Sequence, residues 1–150
     1  MKLLATDMDG TFLRDDKSYS EEFNDLYKQM LKQGIQFVIA SGNQYEALVC
    51  KFDDDIKDDL YYLCENGTKI VYRGDVIYKH CLETDDYQHA LNILKEDEEC
   101  MLVVSGVKHA YILKKFEDRK DFITLFIKNI VFVIFFCHLS IFYLVSHIYF

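Results

Sequence analysis

The chain has 150 residues, with 17 Lys and Arg against 25 Asp and Glu, and its formal net charge at pH 7 is −8. This balance argues against a nucleic-acid-binding protein, which needs basic residues to neutralise phosphates. Hydrophobic residues make up 51% of the chain, which excludes a wholly disordered protein. The five cysteines are widely spaced and show no C-x-x-C pattern, so we expect neither a disulfide framework nor a zinc ribbon.

The first 64 residues alternate between apolar runs and helical patterns. We predict strands over 2–6, 35–40 and 60–64 and helices over 23–33 and 44–52. The run KLLAT predicts a buried strand that ends at Asp7, and IQFVIA predicts a strand covered on both faces. The order strand, helix, strand, helix predicts an α/β domain with a parallel sheet and right-handed crossovers.

The segment that follows has weaker patterns. Glu65-Asn66-Gly67 predicts a turn, and the runs 69–72 and 76–82 around Gly74 predict a β-hairpin. A helix is expected over 85–95, and further strands are expected over 101–105 and 111–113.

The charge of the chain changes abruptly at Asp121, the last acidic residue. Residues 1–121 carry 16 basic and 25 acidic side chains, or −9, whereas residues 122–150 carry Lys128 alone, or +1. The 22 residues from 129 to 150 have no Lys, Arg, Asp or Glu. As a helix they would be about 33 Å long, which matches the roughly 30 Å hydrocarbon core of a bilayer. One interpretation is therefore a transmembrane helix at 129–150.

Basic side chains precede this segment, at Lys114, Lys115, Arg119, Lys120 and Lys128. Under the positive-inside rule they would keep residues 1–121 in the cytoplasm. The Ile, Phe, Val and Tyr of the segment favour strands as much as a helix. A tail translated from a shifted reading frame, or an aggregation-prone end, is the alternative interpretation.

The candidate catalytic residues lie in the pentad Asp7-Met8-Asp9-Gly10-Thr11. Asp7 and Asp9 are two residues apart, so in an extended segment their side chains can face one side. Carboxylates at the end of a strand can hold Mg²⁺, and one of them can attack phosphorus while the other transfers a proton. Gly10 allows a sharp turn there and a close approach of the backbone to a ligand.

With DMDGT, VIASGN (38–43) and CENGT (64–68) in this order, the sequence resembles the haloacid dehalogenase (HAD) superfamily, in particular its Cof-type sugar-phosphatase branch. The resemblance implies an α/β fold with a Rossmann-like parallel sheet, followed by the beginning of an α+β cap domain. It divides the chain into the N-terminal part of a hydrolase core (1–82), a partial cap (83–121) and a hydrophobic tail (122–150).

The resemblance also implies roles for individual residues. Asp7 would be the nucleophile that forms an aspartyl-phosphate, and Asp9 would be the general acid and then base. Both would contribute to Mg²⁺ binding, Asp9 through its carbonyl. Ser41 would hydrogen bond the phosphoryl group, and Gly10, Thr11 and Gly42 would complete the substrate-binding residues. From the residues alone, Ser41 could also be a helix N-cap.

Members of the family carry two later motifs, a Lys that neutralises the phosphoryl group and a G-D-x-x-N-D-like pattern that completes the Mg²⁺ ligands. No G-D-x-x-x-D pattern follows Gly106 in this chain. We therefore expect a Mg²⁺-dependent phosphatase for small phosphorylated metabolites that is C-terminally truncated and impaired. The alternative is an inactive remnant, either held at a membrane through 129–150 or produced by truncation or a frame shift.

Overall fold

A computed structural model describes residues 2–94, 101–106, 109–124, 127–134 and 142–143. The chain divides into two units, Met1–Lys79 and His80–Phe150, and each has its own β-sheet.

The first unit is a five-stranded sheet with two helices. Its elements are β1 (Lys2–Asp7), α1 (Phe23–Lys32), β2 (Ile35–Ala40), α2 (Tyr45–Val49), β3 (Tyr61–Cys64), β4 (Lys69–Tyr72) and β5 (Asp75–Lys79). The strands lie in the order β1-β2-β3-β4-β5. The first three are parallel, and β4 and β5 continue the sheet in antiparallel fashion. The predicted α/β arrangement and the predicted hairpin are therefore confirmed.

One face of this sheet forms the core. Phe23 and Tyr27 of α1 and Leu48 of α2 belong to the same buried cluster as Phe37 of β2 and Tyr62 of β3. The residues of β2 between the buried positions are half-buried. The expectation that β2 is covered on both faces is therefore wrong, because the described helices of this unit bury one face of the strand.

The position of β1 also differs from the expectation. Among the described strands, β1 lies at the edge of its sheet, and its outer edge has no described partner. Leu3 is 63% exposed and Leu4 is 49% exposed. The prediction of a buried strand is wrong here because an apolar run indicates a strand without indicating how many neighbours will cover it.

The second unit has a four-stranded sheet in the order β8-β7-β6-β9. Its elements are α3 (Thr84–Leu94), β6 (Val103–Gly106), β7 (Ala110–Leu113), a helical turn over Lys114–Arg119, α4 (Lys120–Ile123), β8 (Ile130–Val133) and β9 (Phe142–Tyr143). β6 and β7 are antiparallel, and Met101, Ile112, Phe116 and Ile123 share a buried cluster. The predicted helix and the two predicted strands are confirmed over the described residues.

The expected helix over 129–150 is not formed in the part that the structure describes. Ile130–Val133 is a strand that pairs in parallel with β7, and Phe142–Tyr143 pairs with β6. Residues 135–141 and 144–150 lie outside the described residues. Within the described part of the chain, no helix is both long and apolar enough to cross a membrane. The β-branched and aromatic residues of 130–133 form their backbone hydrogen bonds in the sheet instead.

Candidate active site at the carboxyl ends of the parallel strands

Asp7 is the last residue of β1 and is exposed. Residues 8–12 follow as one wide turn, which is closed by a 2.8 Å hydrogen bond from the Leu13 N–H to the Met8 carbonyl. The Met8 side chain is fully buried and fixes the turn to the core. Gly10 has φ +72°, a left-handed conformation that favours glycine. The turn therefore follows from the sequence D-x-D-G.

Asp9 accepts a hydrogen bond from Lys17, with 2.9 Å between the Lys17 Nζ and the Asp9 Oδ1. Both side chains are largely exposed. This hydrogen bond raises the pKa of the Lys17 ammonium. Sequence reasoning missed Lys17, because a single Lys in a polar loop carries no spacing signal.

Ser41 directly follows β2 and is buried. Its N–H donates to the Leu63 carbonyl at 3.0 Å, and its Oγ accepts a hydrogen bond from the Asn43 N–H at 3.1 Å. The alternative role as a helix N-cap is not seen, since α2 begins at Tyr45 with Gln44 in the cap position. The hydroxyl oxygen therefore organises its own loop, and the hydroxyl proton can be donated to a bound oxygen.

The turn after β3 holds the loop after β2. The Asn66 N–H donates to the Ser41 carbonyl at 3.2 Å, and the Glu65 N–H donates to the Asn43 carbonyl at 3.1 Å. Glu65 and Asn66 have φ of +54° and +55°, both in the left-handed region that costs energy for residues other than glycine. The predicted turn is confirmed, and its backbone supports the loop that carries Ser41.

Glu65 is 2% exposed, and its Oε2 has no hydrogen-bond partner among the described residues. Burial raises the pKa of this carboxyl to about 7, and the nearby charge of Lys69 offsets part of that effect. The sequence indicated a turn at this position but gave no sign that its first side chain would be buried. Glu65 is therefore a second residue at the site that sequence reasoning did not single out.

The register of the sheet brings Asp7 and Ser41 together. Asp7 lies opposite Ala40 on the neighbouring strand, and Ser41 is the next residue. Adjacent strands are about 4.8 Å apart, so both side chains start from neighbouring strand ends. Gly42 lies in the same loop as Ser41. Thr11, in contrast, lines a groove with Leu4 and Phe12 on one side of β1.

Oxygen atoms are the donors available for a metal ion at this place. Mg²⁺ prefers oxygen ligands and keeps several waters, so the Asp7 carboxylate and the Asp9 carbonyl fit it in kind. Within the described residues, however, no three or more His, Cys, Asp or Glu side chains come together in a way that could hold a metal. The donors present therefore match Mg²⁺ in kind alone.

A Rossmann-like parallel sheet with polar side chains at the carboxyl ends of its strands defines an α/β enzyme fold with a ligand crevice at that edge. The model of the haloacid dehalogenase-like hydrolases matches residues 4–134, and the chain belongs to this family. The match includes residues 122–134, which lie beyond the charge boundary at Asp121.

Individual relatives agree with this membership. The 5-amino-6-(5-phospho-D-ribitylamino)uracil phosphatase YbjI of Escherichia coli (strain K12) is 40% identical over 119 residues, which cover 79% of this chain and 44% of the relative. The structure of SMU.1108c from Streptococcus mutans UA159 is similar with a TM-score of 0.85 and 29% identity, over 94% of this chain and 54% of that one. A HAD/Cof-like hydrolase from Plasmodium vivax shares the fold, with a TM-score of 0.68 and 21% identity over 88% of this chain and 50% of that one. The chain thus spans about half the length of the relatives it matches.

Proposed function

We propose that this chain is the nucleophile-bearing part of a phosphatase that hydrolyses small phosphorylated metabolites through an aspartyl-phosphate. The observation that carries the proposal is the pairing of Asp7 with Ala40, which sets a carboxylate and the Ser41 hydroxyl at adjacent strand ends. Membership in the hydrolase family and a relative named as a phosphatase support it.

In the proposed reaction, a carboxylate oxygen of Asp7 attacks phosphorus. An O–P bond to Asp7 forms as the bond between phosphorus and the ester oxygen breaks, and Asp9 gives its proton to that leaving oxygen. Asp9 then takes a proton from a water molecule that attacks phosphorus, which releases inorganic phosphate and restores Asp7. Ser41 would donate a hydrogen bond to a phosphoryl oxygen, and Gly10 and Gly42 would border the substrate.

Asp7 and the Asp9 carbonyl would hold Mg²⁺, which when bound offsets the negative charge of the phosphoryl group. Phosphoryl transfer depends on such positioned positive charge more than on covalent chemistry by the protein. The structure places Lys17 next to Asp9, where it hydrogen bonds the carboxylate. We expect slow hydrolysis, because Lys17 is paired with the Asp9 carboxylate and Mg²⁺ would have only two protein ligands named here. An inactive chain is the alternative, and the following experiment distinguishes the two.

The experiment is hydrolysis of p-nitrophenyl phosphate with Mg²⁺ by the wild-type chain and by Asp7→Asn. Asp75→Asn is the matched control, because Asp75 is an exposed aspartate at the start of β5. The proposal expects Asp7→Asn to abolish activity and Asp75→Asn to retain it. Equal rates for the wild type and Asp7→Asn would refute it, because the nucleophile must matter.

A further inference from the structure

Two buried side-chain oxygen atoms beside the loop of Ser41 have no hydrogen-bond donor among the described residues. They are the Oε1 of Gln44 and the Oε2 of Glu65. Gln44 is 8% exposed and Glu65 is 2% exposed. Because both atoms are enclosed, another segment of chain could reach them only by displacing the residues that cover them. A buried acceptor without a donor costs free energy, so two of them in adjoining turns need a physical explanation.

The backbone brings these two residues together. The Glu65 N–H donates to the Asn43 carbonyl at 3.1 Å, and that carbonyl belongs to the peptide group that leads into Gln44. Gln44 occupies the cap position of α2, but its side chain forms no capping hydrogen bond. The Gln44 side chain is therefore available to the neighbouring Glu65.

The charged and titratable groups near Glu65 come from three elements. Lys69 of β4 favours the ionised carboxylate, and Glu46 of α2 disfavours it. Lys69 forms no described ion pair with Glu65, and its ammonium lies 5.9 Å from the centre of the Tyr45 ring. The Cys64 thiol of β3 is neutral, because burial raises its pKa to about 12. Burial is also the largest influence on the Glu65 carboxyl group, and it favours the neutral form, which has an O–H donor.

We propose that protonated Glu65 donates a hydrogen bond to the Oε1 of Gln44, and that this bond positions the loop that carries Ser41. One proton then satisfies both oxygen atoms, because the carboxyl group is the donor and the amide oxygen is the acceptor. The bond joins the turn after β3 to the point where the Ser41 loop enters α2. Glu65 is thus a positioning residue, and its effect on phosphoryl binding rests on the role of Ser41 in the proposed function.

Carbon-13 NMR of the glutamate carboxyl groups in the full chain tests the hydrogen bond. The Glu65 signal is the one that Glu65→Gln lacks, and it should titrate at about pH 7. In Gln44→Leu the pKa of Glu65 should fall by about 0.5 to 1, because the neutral carboxyl group loses its acceptor. Gln29→Leu, at an exposed position of α1, is the matched control and should leave this pKa unchanged.

An unchanged Glu65 pKa in Gln44→Leu would overturn the proposal. A raised pKa would overturn it as well, because it would mean that the Gln44 amide donates to the ionised carboxylate instead.

The backbone amide signals of the loop test its positioning. Those of Ser41, Gly42 and Asn43 should shift in the wild type as the pH rises through about 7, since an ionised Glu65 has no proton to donate. Glu65→Gln donates at every pH through its amide group and should lack this shift. A shift that persists in Glu65→Gln would show that Glu65 does not position the loop.

Activity tests the consequence for the proposed reaction. The ratio of kcat/KM for p-nitrophenyl phosphate in Glu65→Gln to that in the wild type should rise about tenfold between about pH 6 and about pH 8. A ratio that does not change with pH would show that the bond does not position Ser41 for the substrate. A chain without any activity would refute the proposed function, whereas the NMR measurements would still decide on the hydrogen bond.

Discussion

Lys17 and Asp9 form a hydrogen-bonded ion pair, with 2.9 Å between the Lys17 Nζ and the Asp9 Oδ1. The carboxylate proposed for proton transfer is therefore bound to a cation eight residues further along the chain. Exposed pairs of this kind contribute little to stability. The pair therefore matters mainly because it changes the charge beside the group proposed for proton transfer.

Asp9→Asn should lower the pKa of the Lys17 ammonium, because the hydrogen bond and the charge of Asp9 are the main causes of its raised value. An NMR titration of the lysine side chains measures this pKa. Asp15→Asn is the control and should have a smaller effect, since Asp15 acts on Lys17 through its charge alone. An unchanged Lys17 pKa in Asp9→Asn would contradict the pairing.

Ser41→Ala should reduce kcat/KM for p-nitrophenyl phosphate by about 10²-fold, the usual effect of removing one donor from a charged transition state. Ser41→Thr keeps the hydroxyl group and should retain most of the activity. Ser20→Ala removes an exposed hydroxyl group elsewhere and should leave the rate unchanged. If Ser41→Ala and Ser20→Ala have the same rate, Ser41 does not bind the phosphoryl group.

Mg²⁺ should bind with about millimolar or weaker affinity, because Asp7 and the Asp9 carbonyl supply two ligands and the ion is reluctant to lose its waters. Calorimetry of the full chain, or amide shifts of Asp7 and Asp9 during a titration, measures this affinity. Asp75→Ala should bind as the wild type does. Micromolar binding that Asp7→Ala abolishes would show that other residues complete the site.

The pH dependence of stability should contain a contribution from Glu65. Its pKa is raised from 4.5 to about 7 in the folded chain, so the folded state binds more protons than the unfolded state between these values. Stability therefore falls as the pH rises through this window and levels off above about pH 7.

Glu65→Gln should remove this loss and be more stable than the wild type above about pH 7, by at most about 3 kcal/mol. The advantage should disappear towards pH 4.5, the ordinary pKa of the group. Urea unfolding at about pH 5 and about pH 8 measures the difference. Glu21→Gln, at an exposed position, should show no such pH dependence. A pH-independent difference between Glu65→Gln and the wild type would contradict the raised pKa.

Tyr27→Phe should lower the free energy of unfolding by about 1 kcal/mol. The Tyr27 hydroxyl donates to the Asp59 carbonyl at 2.6 Å, and Gln36 Nε2 donates to the same carbonyl at 2.8 Å. The carbonyl therefore keeps one partner in the variant, which limits the loss. Tyr78→Phe, at a half-exposed ring, is the control and should change stability by less than about 0.5 kcal/mol.

Periodicity predicted the elements of the first unit well, because the apolar spacing of a strand or helix is a local property. The run KLLAT became β1, the spacing from Phe23 to Leu31 became most of α1, and Asn66-Gly67 became part of a turn. The same patterns did not indicate that β1 would be an edge strand. Whether a neighbour covers a strand depends on residues far away in the sequence, and an apolar run contains no information about those residues.

The sequence by itself determined the order of the strands and helices and the D-x-D-G-T turn that ends β1, since each depends on residues close together in the chain. Tertiary structure decided which strand ends meet, that Lys17 pairs with Asp9, and that Glu65 is buried behind the loop of Ser41. It also decided that Ile130–Val133 joins a sheet beside β7. An apolar segment can satisfy its backbone hydrogen bonds within a helix or with a neighbouring strand, and hydropathy is the same in both cases.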